Sequence, residues 1–268
     1  MESRLNLDLR PIRPVRPVAP YIGGKRRLAG RLVEIQREIP HKAYVEPFVG
    51  MGGVFFRRPW QTPCEVINDL SRDVSGLFRV LQRHYVALMD MLRWQVTSRD
   101  EFERLRLAQP DSLTDLERAV RFLYLQRTAF GGKVQGRNFG VSMRGARFDI
   151  QALSETLQDV HRRLSRVTVE CLPFDEILRR YDRPDTLFYL DPPYWGNEDD
   201  YGAPFKREDF HVLLAALERI EGRFVMSIND RPEVRERFGG FKLEAVSVPY
   251  TVGGGKRQRP FGELIITN

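Results

Sequence analysis

Residues 44–69 read YVEPFVGMGGVFFRRPWQTPCEVIND, and their order of patterns decides the fold. YVEP (44–47) has the short apolar pattern of a strand, and GMGG (50–53) is a tight turn opening into the brief helix VFFRR. EVIND (65–69) reads as a second strand. Strand, glycine turn, helix, strand is how a doubly wound α/β sheet begins. Gly50, Gly52 and Gly53 let backbone approach a ligand closely beside a helix N-terminus. Asp69 stands nineteen residues after Gly50. At that distance an acid suits a ribose with both hydroxyls free, and it equally suits a carboxylate that caps the turn. The pattern is GxGG and not GxGxxG, which favours a smaller nucleoside ligand over a dinucleotide.

Outward from this unit, RLAGRLVEIQREI (27–39) has one apolar face and predicts a helix. Before it, Pro11, Pro14, Pro17 and Pro20 recur at threes, so 1–19 reads as an extended Pro/Arg-rich arm. After it, 71–94 and 114–129 carry helical apolar spacing, with polar loops between and beyond them. No buried strand is evident between about 70 and 165, so 71–164 reads as a mainly helical insertion. Sheet pattern resumes with strands at 167–171, 186–191 and 223–228 and helices at 174–181 and 210–220. FKLEAVSVPY (241–250) and ELIITN (263–268) predict a closing antiparallel pair around a long basic loop. Residues 20–70 and 165–268 then form one α/β domain.

The strand at 186–191 ends in Asp191-Pro192-Pro193-Tyr194. Ligands of open α/β sheets bind beyond the carboxyl ends of strands. Two prolines stiffen the backbone and remove local amide donors, leaving a carbonyl free to accept. A carboxylate and a fixed carbonyl together can take both hydrogens of an exocyclic amine, and Tyr194 offers a face to the base that carries it. Stacking needs a ring and not a hydroxyl, so the phenol is expected to be dispensable.

The net charge of +7 and pI near 9.6 favour a polyanionic partner. Residues 118–148 contain no acid, and Arg127, Lys133, Arg137, Arg144 and Arg147 lie there among glycines. Lys256, Arg257 and Arg259 form a second such run. Cations on pliable loops suit phosphate tracking, so these eight are the candidate DNA-binding residues. Cys64 and Cys171 give no disulfide framework and no CxxC metal pattern. No apolar run is long enough to cross a bilayer and no signal segment is evident, which predicts a soluble protein of a reducing cytoplasm with no membrane partner.

PYIGGKRRL, YVEPFVGMGG, VIND, DPPY and ELIITN, in this order over roughly 20–268, resemble the Dam-type DNA adenine methyltransferases of the alpha class. The resemblance implies a mostly parallel seven-stranded sheet that binds S-adenosyl-L-methionine, with a target-recognition domain in the insertion. It implies that Tyr21 and Lys25 contact the methionine end or adenine side of the cofactor. Glu46, Pro47, Phe48, Gly50 and Gly52 would form the loop beneath it, Asp69 would hold the ribose, and Phe174 would pack on the adenine. Asp191, Pro192, Pro193 and Tyr194 would hold a flipped target adenine, with Asp191 also beside the cofactor. Three departures stand out. The family often has Trp where Tyr21 stands, Pro173 replaces an acid, and the recognition hairpin of GATC-methylating members is missing. No GATC target is therefore carried over. Whether a restriction endonuclease accompanies the chain, or it acts alone as an orphan or phage enzyme, stays open.

Direct in-line transfer needs neither metal nor covalent intermediate, because a sulfonium methyl is already activated. Cytosine-N4 methylation uses the same DPPY motif and is the nearest alternative. An NAD-dependent oxidoreductase leaves DPPY unexplained, and a non-catalytic DNA-binding module leaves both ligand motifs unexplained.

Overall fold

The computed structural model describes residues 9–143, 145–197, 205–248 and 261–268. The chain runs through β1 (Arg10–Pro11), α1 (Ala29–Glu38), β2 (Ala43–Glu46), β3 (Trp60–Gln61) and β4 (Cys64–Asn68). Five helices follow: α2 (Arg72–Arg83), α3 (Tyr85–Leu92), α4 (Arg99–Leu107), α5 (Asp115–Thr128) and α6 (Ile150–Leu164). Next come β5 (Thr168–Glu170), α7 (Phe174–Tyr181), β6 (Thr186–Leu190), α8 (Asp209–Leu217) and β7 (Arg223–Asn229). The described chain closes with α9 (Pro232–Arg237), β8 (Lys242–Val248) and β9 (Phe261–Thr267).

Seven strands form one sheet in the order β5-β4-β2-β6-β7-β9-β8. Neighbours from β5 to β7 are parallel, and β9 runs antiparallel between β7 and β8. This is the mostly parallel doubly wound sheet that the strand–turn–helix pattern predicts. Alternate strand residues feed two cores, one on each face. Tyr44, Ile67, Leu187, Tyr189, Val225 and Ile265 join α1, α2, α5 and α6. Val45, Val66, Phe188, Leu190, Phe224, Met226, Leu264 and Ile266 join α7, α8 and α9. Burial on both faces is why the strands read as continuous apolar runs.

The helical segment therefore shares its apolar core with one face of the sheet. Two of its helices, α4 and α6, occupy stretches whose composition predicts polar loops. In α6 a single stripe, Leu153, Leu157, Val160 and Leu164, is buried, and Asp149 caps the N-terminus by accepting from the amides of Gln151 and Ala152. In α4 only Phe102 is fully covered, and Ser98 caps it. One anchor on an otherwise charged helix leaves little periodic signal.

Residues 9–19 are extended, as the proline spacing requires, but they are packed against the rest of the chain and do not form a detached arm. β1 pairs with β3, the Ile12 amide donates to the Pro59 carbonyl, and the Val15 amide donates to that of Phe56. Val18 and Ala19 are buried. Apolar side chains between the prolines supply the packing that composition alone does not reveal.

Gly52 sits at φ 70°, and a Cβ there would lie 2.4 Å from the Phe56 ring. Gly52→Ala is therefore expected to cost about 1–2 kcal/mol for the left-handed backbone alone. That corresponds to a melting point lower by roughly 2–8 °C, measured by scanning calorimetry. An unchanged melting point would mean the turn relaxes freely.

Candidate active site

The sheet order reverses at β2, whose neighbours β4 and β6 lead away in opposite directions. Loops leaving the carboxyl ends of these three strands diverge there and open a crevice. A cavity of about 980 Å³ occupies it. Glu46 ends β2, Asp69 follows β4 and Asp191 follows β6, and all three line the cavity. Tyr21, Lys25, Pro47, Phe48, Gly50, Phe174 and Pro193 also line it. Gly52, Pro192 and Tyr194 do not. Gly52 instead packs beneath the turn.

Asp69 accepts from the Gly50 amide at 3.0 Å and the Ser71 amide at 2.9 Å. It thus caps the turn, one of the two sequence readings of this acid, and also lines the cavity. Burial lifts its carboxyl to about 6, with the two amides opposing the rise. Asn68, which no sequence pattern singles out, holds the neighbouring loops. Its Nδ2 donates to the carbonyls of Pro47 and Leu172 at 2.9 and 3.0 Å, and its Oδ1 accepts from the Leu172 amide.

One wall is aromatic. The Phe48 and Phe174 rings lie 5.4 Å apart, and Phe205 closes on both at 5.8 and 5.7 Å. Another part of the lining is acidic. Glu46 is fully buried, its Oε1 accepts from the Tyr44 hydroxyl at 3.3 Å, and its Oε2 has no hydrogen-bond partner. Burial, with Asp191 adding to it and Arg58 opposing, raises the Glu46 carboxyl to about 8. Burial likewise lifts Asp191 to about 6, against the pull of Lys25.

Lys25 lies at the seam between the turn and the DPPY loop. Its Nζ is 3.0 Å from Asp191 Oδ1 and 3.3 Å from Glu263 Oε2, and it donates to the Tyr194 hydroxyl at 2.7 Å. Its ammonium also sits 4.2 Å from the centre of the Tyr194 ring. The Tyr194 hydroxyl in turn donates to Glu263 Oε1. The phenol that stacking made dispensable is therefore anchored both as donor and as acceptor. Ser227 donates to Asp191 Oδ1 at 3.4 Å and exchanges a hydrogen bond with Tyr189. Asn229 fixes the DPPY loop from β7: its Oδ1 accepts from the Trp195 amide and its Nδ2 donates to the Trp195 carbonyl. Glu263, Ser227 and Asn229 all lie on the last strands, where an acid heading an otherwise apolar strand is the available signal.

The acid-free run behaves differently from a simple cationic loop. Arg127 lines the cavity and donates to the Val18 carbonyl. Arg137 donates to the Lys133 carbonyl and to Gln126 Oε1, over the Phe122 ring. Arg147 donates to the Ala129 carbonyl. Arg127 ties the end of α5 to the N-terminal segment, and Arg137 and Arg147 stitch the following loop to its surroundings, whereas Lys133 is exposed. Arg144, Lys256, Arg257 and Arg259 lie outside the described residues.

A Type II methyltransferase, M1.LlaDCHI of Lactococcus lactis subsp. cremoris, is 26% identical over 92% of this chain and 93% of its own length. A DNA adenine methylase of Haemophilus influenzae is 24% identical over 94% and 92%. The Type II methyltransferase M.CviBI of Paramecium bursaria Chlorella virus NC1A is 24% identical over 74% and 77%. The family model for D12 class N6 adenine-specific DNA methyltransferases matches residues 21–252, and the chain belongs to that family.

Proposed function

We propose that the chain takes the methyl group from S-adenosyl-L-methionine, held in this cavity, and places it directly on N6 of an adenine turned out of DNA against the Asp191–Tyr194 loop at the cavity's edge, with S-adenosylhomocysteine as the leaving group. The observation that carries the reading is the convergence, in one cavity, of Asp69, the Phe48–Phe174 wall and a carboxylate end formed by Glu46 and Asp191. A nucleoside with a cationic tail needs an acceptor for its ribose, a ring to pack its base and negative charge for its tail. The Glu46 Oε2 without a hydrogen-bond partner supports the fit, since a buried acceptor in want of a donor suits an ammonium group.

Bound S-adenosyl-L-methionine supplies a methyl group already activated by positive charge. Asp69 accepts from its ribose hydroxyls, and Phe48 and Phe174 pack its base. Asp191 and the Pro192 carbonyl accept the two hydrogens of the target amine. That turns its lone pair out of conjugation and aims it at the methyl. Asp191 then holds the proton the amine must shed. Tyr194 stacks on the target base, standing in for the neighbouring bases of the duplex. We assign DNA reading to the segment 71–164, catalysis to 20–70 with 165–268, and residues 9–19 to a strap along the catalytic unit.

Cofactor affinity should depend on pH in a way that tests the site. Glu46 titrates near 8 in the free protein and is mainly protonated at pH 7. A cationic ligand favours its ionised form, so binding releases a proton. Affinity should therefore rise with pH between about 7 and 8 and level off above, because Asp191 and Asp69 complete their titration lower, near 6. Calorimetry in buffers of different ionisation heat reads this directly. A flat profile, or one unchanged in Glu46→Gln, would remove Glu46 from the cofactor site.

DNA binding should separate the cations of the acid-free run. Lys133→Ala is expected to lower the log–log salt slope by roughly 0.9, the value of one phosphate contact. Arg137→Ala, whose guanidinium is held internally, should leave the slope unchanged and reduce thermal stability. Equal slopes for both variants and the parent would mean that Lys133 does not touch the backbone.

A further inference from the structure

We propose that Glu263 is a positioning residue for methyl transfer, acting through Lys25 and the Tyr194 hydroxyl to hold the stacking ring and keep Asp191 open to the target amine. This rests on the reading of Asp191 and Tyr194 as the seat of the target adenine. Glu263 heads the apolar run of β9, paired with Asn229 on β7 and Val246 on β8, and it is buried. A buried carboxylate persists there only if it is paired. Its partners are the ammonium of Lys25 and the hydroxyl of Tyr194, from two other parts of the chain.

One ammonium thus faces two carboxylates and one hydroxyl. Because Glu263 draws part of the Lys25 charge, Asp191 is not fully occupied by its ion pair and can still accept from an incoming amine. Because Glu263 accepts from the Tyr194 hydroxyl while Lys25 donates to it, the ring is fixed at its far end. Without Glu263, Lys25 would close on Asp191 alone, and the ring would lose its acceptor. Among the described residues, the groups facing Asp191 from the packed elements are Lys25, Ser227, Tyr189, Glu46 and Glu263. Of these, Glu263 raises its carboxyl and Lys25 and Ser227 lower it. Neutralising Glu263 should therefore move the acid limb of turnover to lower pH.

Glu263→Gln, Tyr194→Phe and the double variant test this in the full chain, with S-adenosyl-L-methionine and DNA as substrates. Each single variant is expected to lower kcat about tenfold or more while cofactor Kd stays within twofold. The double variant should be no worse than the poorer single, because both break one linkage. The acid limb should shift downward in Glu263→Gln. Unchanged kcat in Glu263→Gln, losses that multiply in the double variant, or an unmoved acid limb would each overturn the proposal. If Glu263→Gln does not fold, full activity in Tyr194→Phe overturns it alone. Asp191→Ala separates the two ideas. If that variant is active, the site reading itself fails; if it is inactive while Glu263→Gln is normal, only the role of Glu263 fails.

Discussion

Asp191→Ala is expected to lower kcat by roughly 10²–10³-fold, the usual cost of removing one preorganised polar group at a reacting centre. The carboxylate stands at the end of β6, held by Lys25 and Ser227 on one oxygen, at a loop that Asn229 pins. Nothing in Ala accepts from the amine, so the nitrogen lone pair stays conjugated with the ring. Because burial already raises this carboxyl to about 6, the parent should lose turnover as pH falls through that value. The sign follows from the protonation state: a neutral acid accepts poorly, so the loss lies on the acid side. Single-turnover kinetics should place the larger part of the defect in chemistry, with a smaller rise in cofactor Kd from the loss of one of the two carboxylates at that end of the cavity. Near-parental turnover in Asp191→Ala would mean another group takes the amine hydrogens.

Asp69→Ala should act on the cofactor instead. Two hydrogen bonds from ribose hydroxyls to a charged acceptor are worth about 1.5–3 kcal/mol each, so Kd should rise by roughly 10²–10⁴-fold. The same carboxylate caps the amides of Gly50 and Ser71, and its removal leaves both unpaired and loosens the turn. Asp69→Asn, which keeps an oxygen for one amide, should fall between parent and Ala. DNA affinity without cofactor should barely move, since Asp69 lies inside the crevice. A cofactor Kd within threefold of the parent would leave Asp69 as a turn cap only.

The sequence carries the frame of this site well because its local signals agree. YVEP, GMGG and VIND each specify one element, and parallel pairing of β2 with β4 and β6 must bring Glu46, Asp69 and Asp191 to one edge. Long-range partners are another matter. Tyr194 and Glu263 are 69 positions apart and meet only because β9 inserts antiparallel between β7 and β8. No local pattern encodes that insertion, so nothing near Tyr194 in the chain points to a use for its hydroxyl. The internal contacts of the arginines in the acid-free run are equally hidden from the sequence. Composition counts charges but not directions, and Arg127, Arg137 and Arg147 turn toward backbone carbonyls of their own loop and its neighbours. Helix α4 is hard to read because it buries little beyond Phe102, and α6 because its apolar stripe is thin and lies among polar residues.

The most direct measurement is the product itself. Purified protein is incubated with DNA and S-adenosyl-L-methionine carrying a tritiated methyl group, and the DNA is digested to nucleosides and separated. The account predicts that the label appears in N6-methyladenine and that Asp191→Ala reduces it by roughly two orders of magnitude or more. Label found only in 4-methylcytosine or 5-methylcytosine, or none transferred to DNA, would contradict it.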